Sequence, residues 1–166
     1  MSRAVIALGA NLDDPAHHLH DAAHRIDRTP GVRIVGRSHL FRTAPIGGPE
    51  QPDYVNAVII VETDRDPHTL LADLHSIEAE HGRIRDVHWG PRTLDLDLIA
   101  YDDFRSVDPE LQVPHPRAHE RAFVLVPWCD AESDAVFPGV GPIRDLVAGL
   151  DTAGCTVLEG PRVGES

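Results

Sequence analysis

The sequence predicts an α+β domain of the ferredoxin-like kind, a βαββαβ core with helices packed on an antiparallel sheet. Three observations carry that expectation. Short apolar runs of strand length are interleaved with two segments of helical periodicity, in the order strand, helix, strand, strand, helix, strand. The chain has 166 residues, 42% hydrophobic and 25% charged, enough for one core and unlike a disordered chain. It contains no internal repeat and no low-complexity block. A single domain over 1–159 is expected, with 160–166 as a flexible tail.

The elements follow in order. Residues 4–8 (AVIAL) form a buried first strand that Gly9 ends. Asp13-Asp14-Pro15 opens a helix, aspartate at the cap and proline in the first turn, with Leu19, Ala22, Ala23 and Ile26 on one face. Thr29-Pro30-Gly31 stops it. Segment 32–42 reads as one strand bent or bulged at Gly36. The Pro/Gly-rich stretch 43–53 is too long for a simple connection and reads as a functional loop. Residues 54–62 (YVNAVIIVE) make the clearest strand. Asp66-Pro67 opens a second helix whose core stripe is Leu70, Leu71, Leu74 and Ile77, with Gly82 as its stop. A second loop spans 83–93, and 94–101 (LDLDLIAY) alternate as a strand. Beyond lie a Pro-rich turn, an apolar segment at 122–128, a short helix at 142–150, and a tail from 151 without recognisable chemistry.

The formal charge is −12, and all 15 basic residues are arginine. Without lysine there is no P-loop lysine and no Schiff-base amine. Phosphate must be held by arginine, histidine, backbone N–H groups or metal. The acidic balance argues against a sequence-independent nucleic-acid binder. Cys129 and Cys155 read as ordinary thiols in a reducing compartment. The N-terminus lacks a signal-peptide pattern, and no apolar run approaches the roughly 20 residues that span a bilayer. A cytoplasmic protein without membrane or nucleic-acid partners is expected.

The strongest chemical signal is Leu94-Asp95-Leu96-Asp97-Leu98. Side chains alternate along a strand, so the two aspartates share one face and the leucines the other. A bare D-x-D reads first as a solvated strand face. Here Arg92 lies three residues before Asp95 on a Gly-Pro-stiffened loop, which favours paired carboxylates holding Mg²⁺ against phosphate. Tyr54 and Asn56 share a strand face, and an asparagine amide offers one donor edge and one acceptor to a lactam-like ring. Glu78 falls on the inward row of Leu70 and Leu74, where a carboxylate needs a partner.

WGPRTLDLDLI at 89–99 resembles the signature of 6-hydroxymethyl-7,8-dihydropterin pyrophosphokinases. LGANL at 8–12, FRTAP at 41–45, QPDYVNAV at 51–58, GRIR at 82–85 and VPHPRAHERAFVLVP at 113–127 also fit, in family order, over roughly 5–138. The resemblance implies transfer of pyrophosphate from ATP to a pterin hydroxymethyl group, with AMP released; a monomer is expected. It implies two Mg²⁺ ions at Asp95 and Asp97, with Asp97 a candidate acceptor for the hydroxyl proton. Arg83 and Arg92 match catalytic positions on a mobile loop over the triphosphate. His75, Glu78, Arg85, Trp89, Arg92, His115 and Arg121 match nucleotide-binding positions. Thr43, Pro45, Ile46, Tyr54, Asn56, Trp89 and Phe123 match the pterin pocket. Three positions depart from common family residues: His75 replaces a glutamine, His88 an arginine, and Glu110 stands where some relatives carry arginine.

Eleven histidines suggest a metal site, but His17, His20 and His24 on the first helix lack an evident third ligand and read as a solvated face. Two other functions stay open at this level. One is a different Mg²⁺-dependent phosphotransferase or phosphohydrolase using the same aspartates. The other is a non-catalytic pterin-binding relative, which intact aspartates disfavour.

Overall fold

The computed structural model describes residues 1–12, 14–44, 52–81 and 94–165. Strand β1 (Ser2–Ala10) is followed by helix α1 (Pro15–Asp27), β2 (Val32–Arg37), β3 (Phe41–Thr43), β4 (Tyr54–Thr63), α2 (Pro67–Glu80) and β5 (Asp95–Tyr101). The β6–β7 hairpin (Ser106–Asp108, Leu111–Val113) leads through a 3₁₀ turn at Ala118–Glu120 to α3 (Ala122–Ala131). The short pair β8 (Val136–Phe137) and β9 (Gly141–Pro142), helix α4 (Ile143–Ala148) and β10 (Cys155–Val157) complete the chain.

The main sheet runs β10-β3-β4-β1-β5, with β2 also paired to β4, every pairing antiparallel. Counting 32–43 as the second strand, the core order is 2-3-1-4. That is the expected ferredoxin-like arrangement.

Both helix starts form as read. Asp14 Oδ1 accepts the His17 N–H at 3.4 Å, and Asp66 Oδ1 accepts that of Thr69 at 2.9 Å. Leu19, Ala22, Ala23 and Ile26 are buried on α1, and Leu70, Leu74 and Ile77 on α2, with Leu71 packed beside them. Gly82 lies outside the described residues.

Alternation along the strands divides the sheet into two faces. Ala4, Ile6, Leu8 and Ala10 of β1, Val55, Ala57, Ile59 and Val61 of β4, and Leu96 and Leu98 of β5 pack with α1 and α2 in one core. Val5, Val58, Ile60 and Ile99 form a second core with Val124, Leu125 and Trp128 of α3 and Ile143 of α4. That core lies toward one end of the second face. The other end carries Gly9, Asn56, Asp95 and Asp97.

Several expectations are corrected. Gly9 does not end the first strand, since β1 continues to Ala10 with Gly9 paired to Asn56 and to Asp95. Segment 32–42 is two strands: the register slips between Ile34 and Gly36, and the ladder then gives way at Ser38. There the Ser38 hydroxyl replaces a backbone partner, accepting from Val58 N–H at 2.9 Å and donating to the His39 carbonyl at 2.6 Å. The apolar segment at 122–128 is the core of α3, which accommodates Pro127 within its turns.

The C-terminal segment is docked. β10 pairs with β3, setting Cys155 opposite Thr43. Val163, fully buried, joins the first core, and Gly164 N–H donates to His20 Nδ1 at 2.9 Å. Arg37 donates to the Val163 carbonyl at 3.0 Å, and Arg162 to the Arg37 carbonyl at 2.8 Å. A flexible tail is expected over 160–166; among its described residues, 160–165, a valine in the core and this arginine pairing tie the segment to the body. His20 thereby takes a structural role that its helical spacing did not suggest.

Candidate active site

The site is the end of the second sheet face away from the α3–α4 core. Antiparallel register sets Phe41, Asn56, Gly9 and Asp95 in one row across β3, β4, β1 and β5. Val58, Ala7 and Asp97 form the next row, and Thr43 and Tyr54 a third on the other side. Residues directly opposite share a face, so Thr43, Tyr54, Asn56, Asp95 and Asp97 all project to the same side. Asn56 and Asp95 are two strand spacings apart, roughly 10 Å between backbones.

Asn56 is nearly buried, and its Nδ2 donates to Thr43 Oγ1 at 2.5 Å. That bond fixes which end of the carboxamide faces which way. Its Oδ1 lies over Gly9, 2.6 Å from where a Cβ on that residue would stand. Gly9 keeps an ordinary strand conformation, so its role here is space rather than unusual dihedrals. The sequence reading missed this role, although Gly9 sits in the LGANL motif; only register reveals it. Asn11, buried at the end of the same motif, donates Nδ2 to the Pro52 carbonyl at 3.0 Å and ties the segment entering β4 to the sheet.

Asp95 and Asp97 are half-buried on β5, and the residues beside them on β1 are Gly9 and Ala7, whose small size leaves the carboxylates room. Two carboxylates on one face fit a hard divalent cation, with further ligands coming from phosphate oxygens and water. Among the described residues no group of three His, Cys, Asp or Glu side chains forms a self-sufficient metal site. Oxygen donors of this kind suit Mg²⁺ that would arrive with a polyphosphate.

The opposite wall comes from 115–123. His115 N–H donates to the Ile99 carbonyl at 2.8 Å, which pins this segment to the aspartate strand. Burial, then the nearby Arg121 and Arg117, push the His115 pKa below its ordinary value, against the opposing pull of Asp95. His115 Nδ1 accepts the Arg117 N–H at 3.4 Å, so the neutral ring carries its proton on Nε2. Burial and Arg117 also lower the Arg121 pKa, with Asp97 and Glu120 opposing. The Arg121 guanidinium sits 5.6 Å from the Phe123 ring centroid, in cation–π range. Arg117 had not been singled out from sequence; it joins this basic wall through its proximity to His115 and Arg121.

On the outer side of β5, α2 carries His75 and Glu78. His75 is exposed, while Glu78 is buried and its Oε2 accepts the Leu96 N–H at 2.8 Å. Glu110 is exposed in the β6–β7 turn. The structure thus brings Thr43, Tyr54, Asn56, Asp95, Asp97, His115, Arg121 and Phe123 to one region. Pro45, Ile46, Arg83, Arg85, His88, Trp89 and Arg92 lie outside the described residues.

Comparison with known proteins identifies the family. The family model for 7,8-dihydro-6-hydroxymethylpterin-pyrophosphokinase (HPPK) matches residues 5–133. The chain belongs to this family. It is 41% identical over 159 residues to the 2-amino-4-hydroxy-6-hydroxymethyldihydropteridine pyrophosphokinase of Methylorubrum extorquens, covering 96% of this chain and all of that one. It is 42% identical over 147 residues to the Haemophilus influenzae protein of the same name, covering 89% of this chain and 92% of that one. Among solved structures, Plasmodium falciparum HPPK-DHPS with pterin and p-hydroxybenzoate superposes with a TM-score of 0.69 at 16% identity. The match covers 89% of this chain but 41% of that longer one, and shows the shared fold.

Proposed function

We propose that this chain transfers the pyrophosphoryl group of ATP to the hydroxymethyl oxygen of 6-hydroxymethyl-7,8-dihydropterin, releasing AMP, a step in folate biosynthesis. The observation that carries the reading is the row joining Asn56 to Asp95 across Gly9, with Asp97 in the adjacent row. A recognition amide and a cation-holding pair stand on one surface, two strands apart. A two-ring heterocycle with a one-carbon arm spans that interval.

Asn56, held by Thr43, meets the polar edge of the pterin, while Tyr54 and Phe123 flank its faces and Pro45 and Ile46 extend the wall. Asp95 and Asp97 would hold Mg²⁺, two ions in this reading, which would offset triphosphate charge and lower the cost of charge developing at the β-phosphorus. Arg121 and the Nε2–H of neutral His115 donate to phosphate oxygens from the facing wall. Arg83, Arg85, Trp89 and Arg92, with His75 and Glu78, complete the nucleotide contacts that the family resemblance assigns. In the transfer, the hydroxymethyl oxygen bonds to the β-phosphorus as the bond from that phosphorus to the α-bridging oxygen breaks. Its proton passes to Asp97 or to water. The catalytic unit is a monomer in this reading, which sedimentation tests.

The decisive assay incubates the protein with ATP, Mg²⁺ and hydroxymethyl-dihydropterin and measures AMP. Pterin-dependent AMP is expected. ATP consumed without pterin would support a phosphohydrolase, and pterin binding without turnover a non-catalytic relative. Replacing Asp95 or Asp97 by alanine should cut turnover by orders of magnitude with the fold retained. Near-normal rates in the double variant would refute the metal assignment, and one Mn²⁺ per ATP-analogue complex would refute the two-ion count.

A further inference from the structure

We infer that Glu78 is a positioning residue for the aspartate strand, holding the backbone between Asp95 and Asp97 rather than acting only as a nucleotide contact. The inference rests on the reading of those aspartates as the cation-holding pair.

β5 ends the described sheet, with β1 on one side and α2 along the other. An outer strand presents N–H groups that no ladder satisfies. The N–H of Leu96, the residue between the two aspartates, is one of these. It is taken by Glu78 Oε2 at 2.8 Å, from a residue only 2% exposed. A buried carboxylate is costly unless donors meet it, and a charge-assisted bond to a backbone N–H is the strong kind. Leu96 and Leu98 are themselves locked into the core against α1 and α2. Glu78 therefore ties the strand from its outer side at the one peptide that sets the height of both aspartates.

Geometry separates this role from simple charge. If Glu78 acted by its field alone, glutamine would fail as badly as alanine. A hydrogen-bond acceptor is what the Leu96 N–H needs, and Glu78→Gln keeps one.

Two measurements test the proposal, neither requiring turnover. The first is amide hydrogen exchange by NMR on protein without nucleotide. In Glu78→Ala the Leu96 amide should exchange at least about tenfold faster, while Ile6 and Ile59 keep their protection; Glu78→Gln should restore most of the Leu96 protection. The second is Mn²⁺ half-saturation in the presence of a nonhydrolysable ATP analogue. It should rise about ten- to hundredfold in Glu78→Ala, as when a supporting partner of a metal ligand is lost, and stay within about threefold in Glu78→Gln. Unaltered Leu96 exchange in Glu78→Ala, or Mn²⁺ half-saturation unchanged in that variant, overturns the inference. Should Glu78→Ala lose protection at Ile6 and Ile59 and so unfold, Glu78→Gln and Glu78→Leu decide by the same readings. If the wild-type protein neither binds Mn²⁺ with nucleotide nor forms AMP, the functional reading fails, and the Leu96 exchange result shows separately whether the tether exists.

Discussion

Replacing Gly9 by alanine should impair pterin use while leaving the fold and the nucleotide site intact. The added Cβ would stand 2.6 Å from Asn56 Oδ1, where ordinary contact begins at 3.4 Å. Asn56 must therefore shift by about 0.8 Å or rotate its carboxamide. Rotation breaks the 2.5 Å bond to Thr43, worth about 1 kcal/mol net, and an off-rotamer side chain costs about another 1 kcal/mol. Some 2 kcal/mol of recognition energy corresponds to a rise in pterin KM of roughly thirtyfold. The same strain falls on the folded state and is offset only in part, by about 0.4–1 kcal/mol, as alanine lowers the entropy of the unfolded chain. Steady-state kinetics with pterin and ATP varied separately, beside a thermal melt, provide the assay. The pterin KM should rise with only a modest fall in Tm, melting still cooperative, and ATP KM little changed. The reasoning also demands non-additivity: in an Asn56→Ala background, Gly9→Ala should add almost nothing. An unchanged pterin KM in the folded single variant, or an equal penalty with Asn56 already removed, would refute it.

Other perturbations give distinct signatures. Val163→Ala should destabilise the protein by about 2 kcal/mol in denaturant titration, since this fully buried side chain joins the main core. Removing 160–166 should cost at least as much, and a deletion neutral in Tm would restore the flexible-tail reading. The pKa values of His20, His81 and His115 are all lowered, burial being the first cause in each. The unfolded chain then binds more protons than the native state below about pH 6.5, so stability is full above that pH and falls as pH drops toward the folded values. Melts between pH 7.5 and 5 should show this decline, shallower in His115→Asn; a slope unchanged by that replacement would show that His115 does not contribute. Arg121→Lys should raise the ATP KM several-fold, because an ammonium cannot reproduce the fork or its stacking on Phe123; kinetics equal to wild type would remove Arg121 from the phosphate wall.

The sequence made the central elements legible because their determinants are local. Asp14 and Asp66 announce helix starts, and strict alternation in LDLDL assigns two faces without any knowledge of the fold. What stayed hidden depends on partners distant in the chain. Nothing near residue 9 reveals that a residue 47 positions later lies over it. Nothing in the polar tail shows that Val163 fills space beside α1 and β2. The break at Ser38 was obscured because a hydroxyl standing in for a ladder partner looks, in sequence, like an ordinary strand residue. Alternation put Asp95 and Asp97 on one face, and the neighbouring Arg92 loop made them candidates; Arg117 was not visible, since its proximity to Arg121 arises from the bend between β7 and α3.

The same alternation that builds the core also aims the site, and this couples fold to function. Leu96 faces α1 and α2 because Asp95 and Asp97 face the opposite way. A slip of one residue between β1 and β5 would bury both carboxylates in the first core and expose two leucines. Exposing a buried leucine costs roughly 2 kcal/mol, and each unpaired carboxylate forced into apolar surroundings costs several more. The register that sets Asp95 beside Gly9, and Gly9 beside Asn56, is therefore enforced by the main core rather than by any bond within the site. The Leu96 N–H bond to Glu78 adds a second constraint from the outer side of the strand. Substitutions that merely soften the core beneath β5, such as Leu98→Ala, should then loosen cation binding before they unfold the protein. Mn²⁺ half-saturation rising in a Leu98→Ala variant that still melts cooperatively is the expected result, and metal affinity indifferent to that loss would break the proposed coupling.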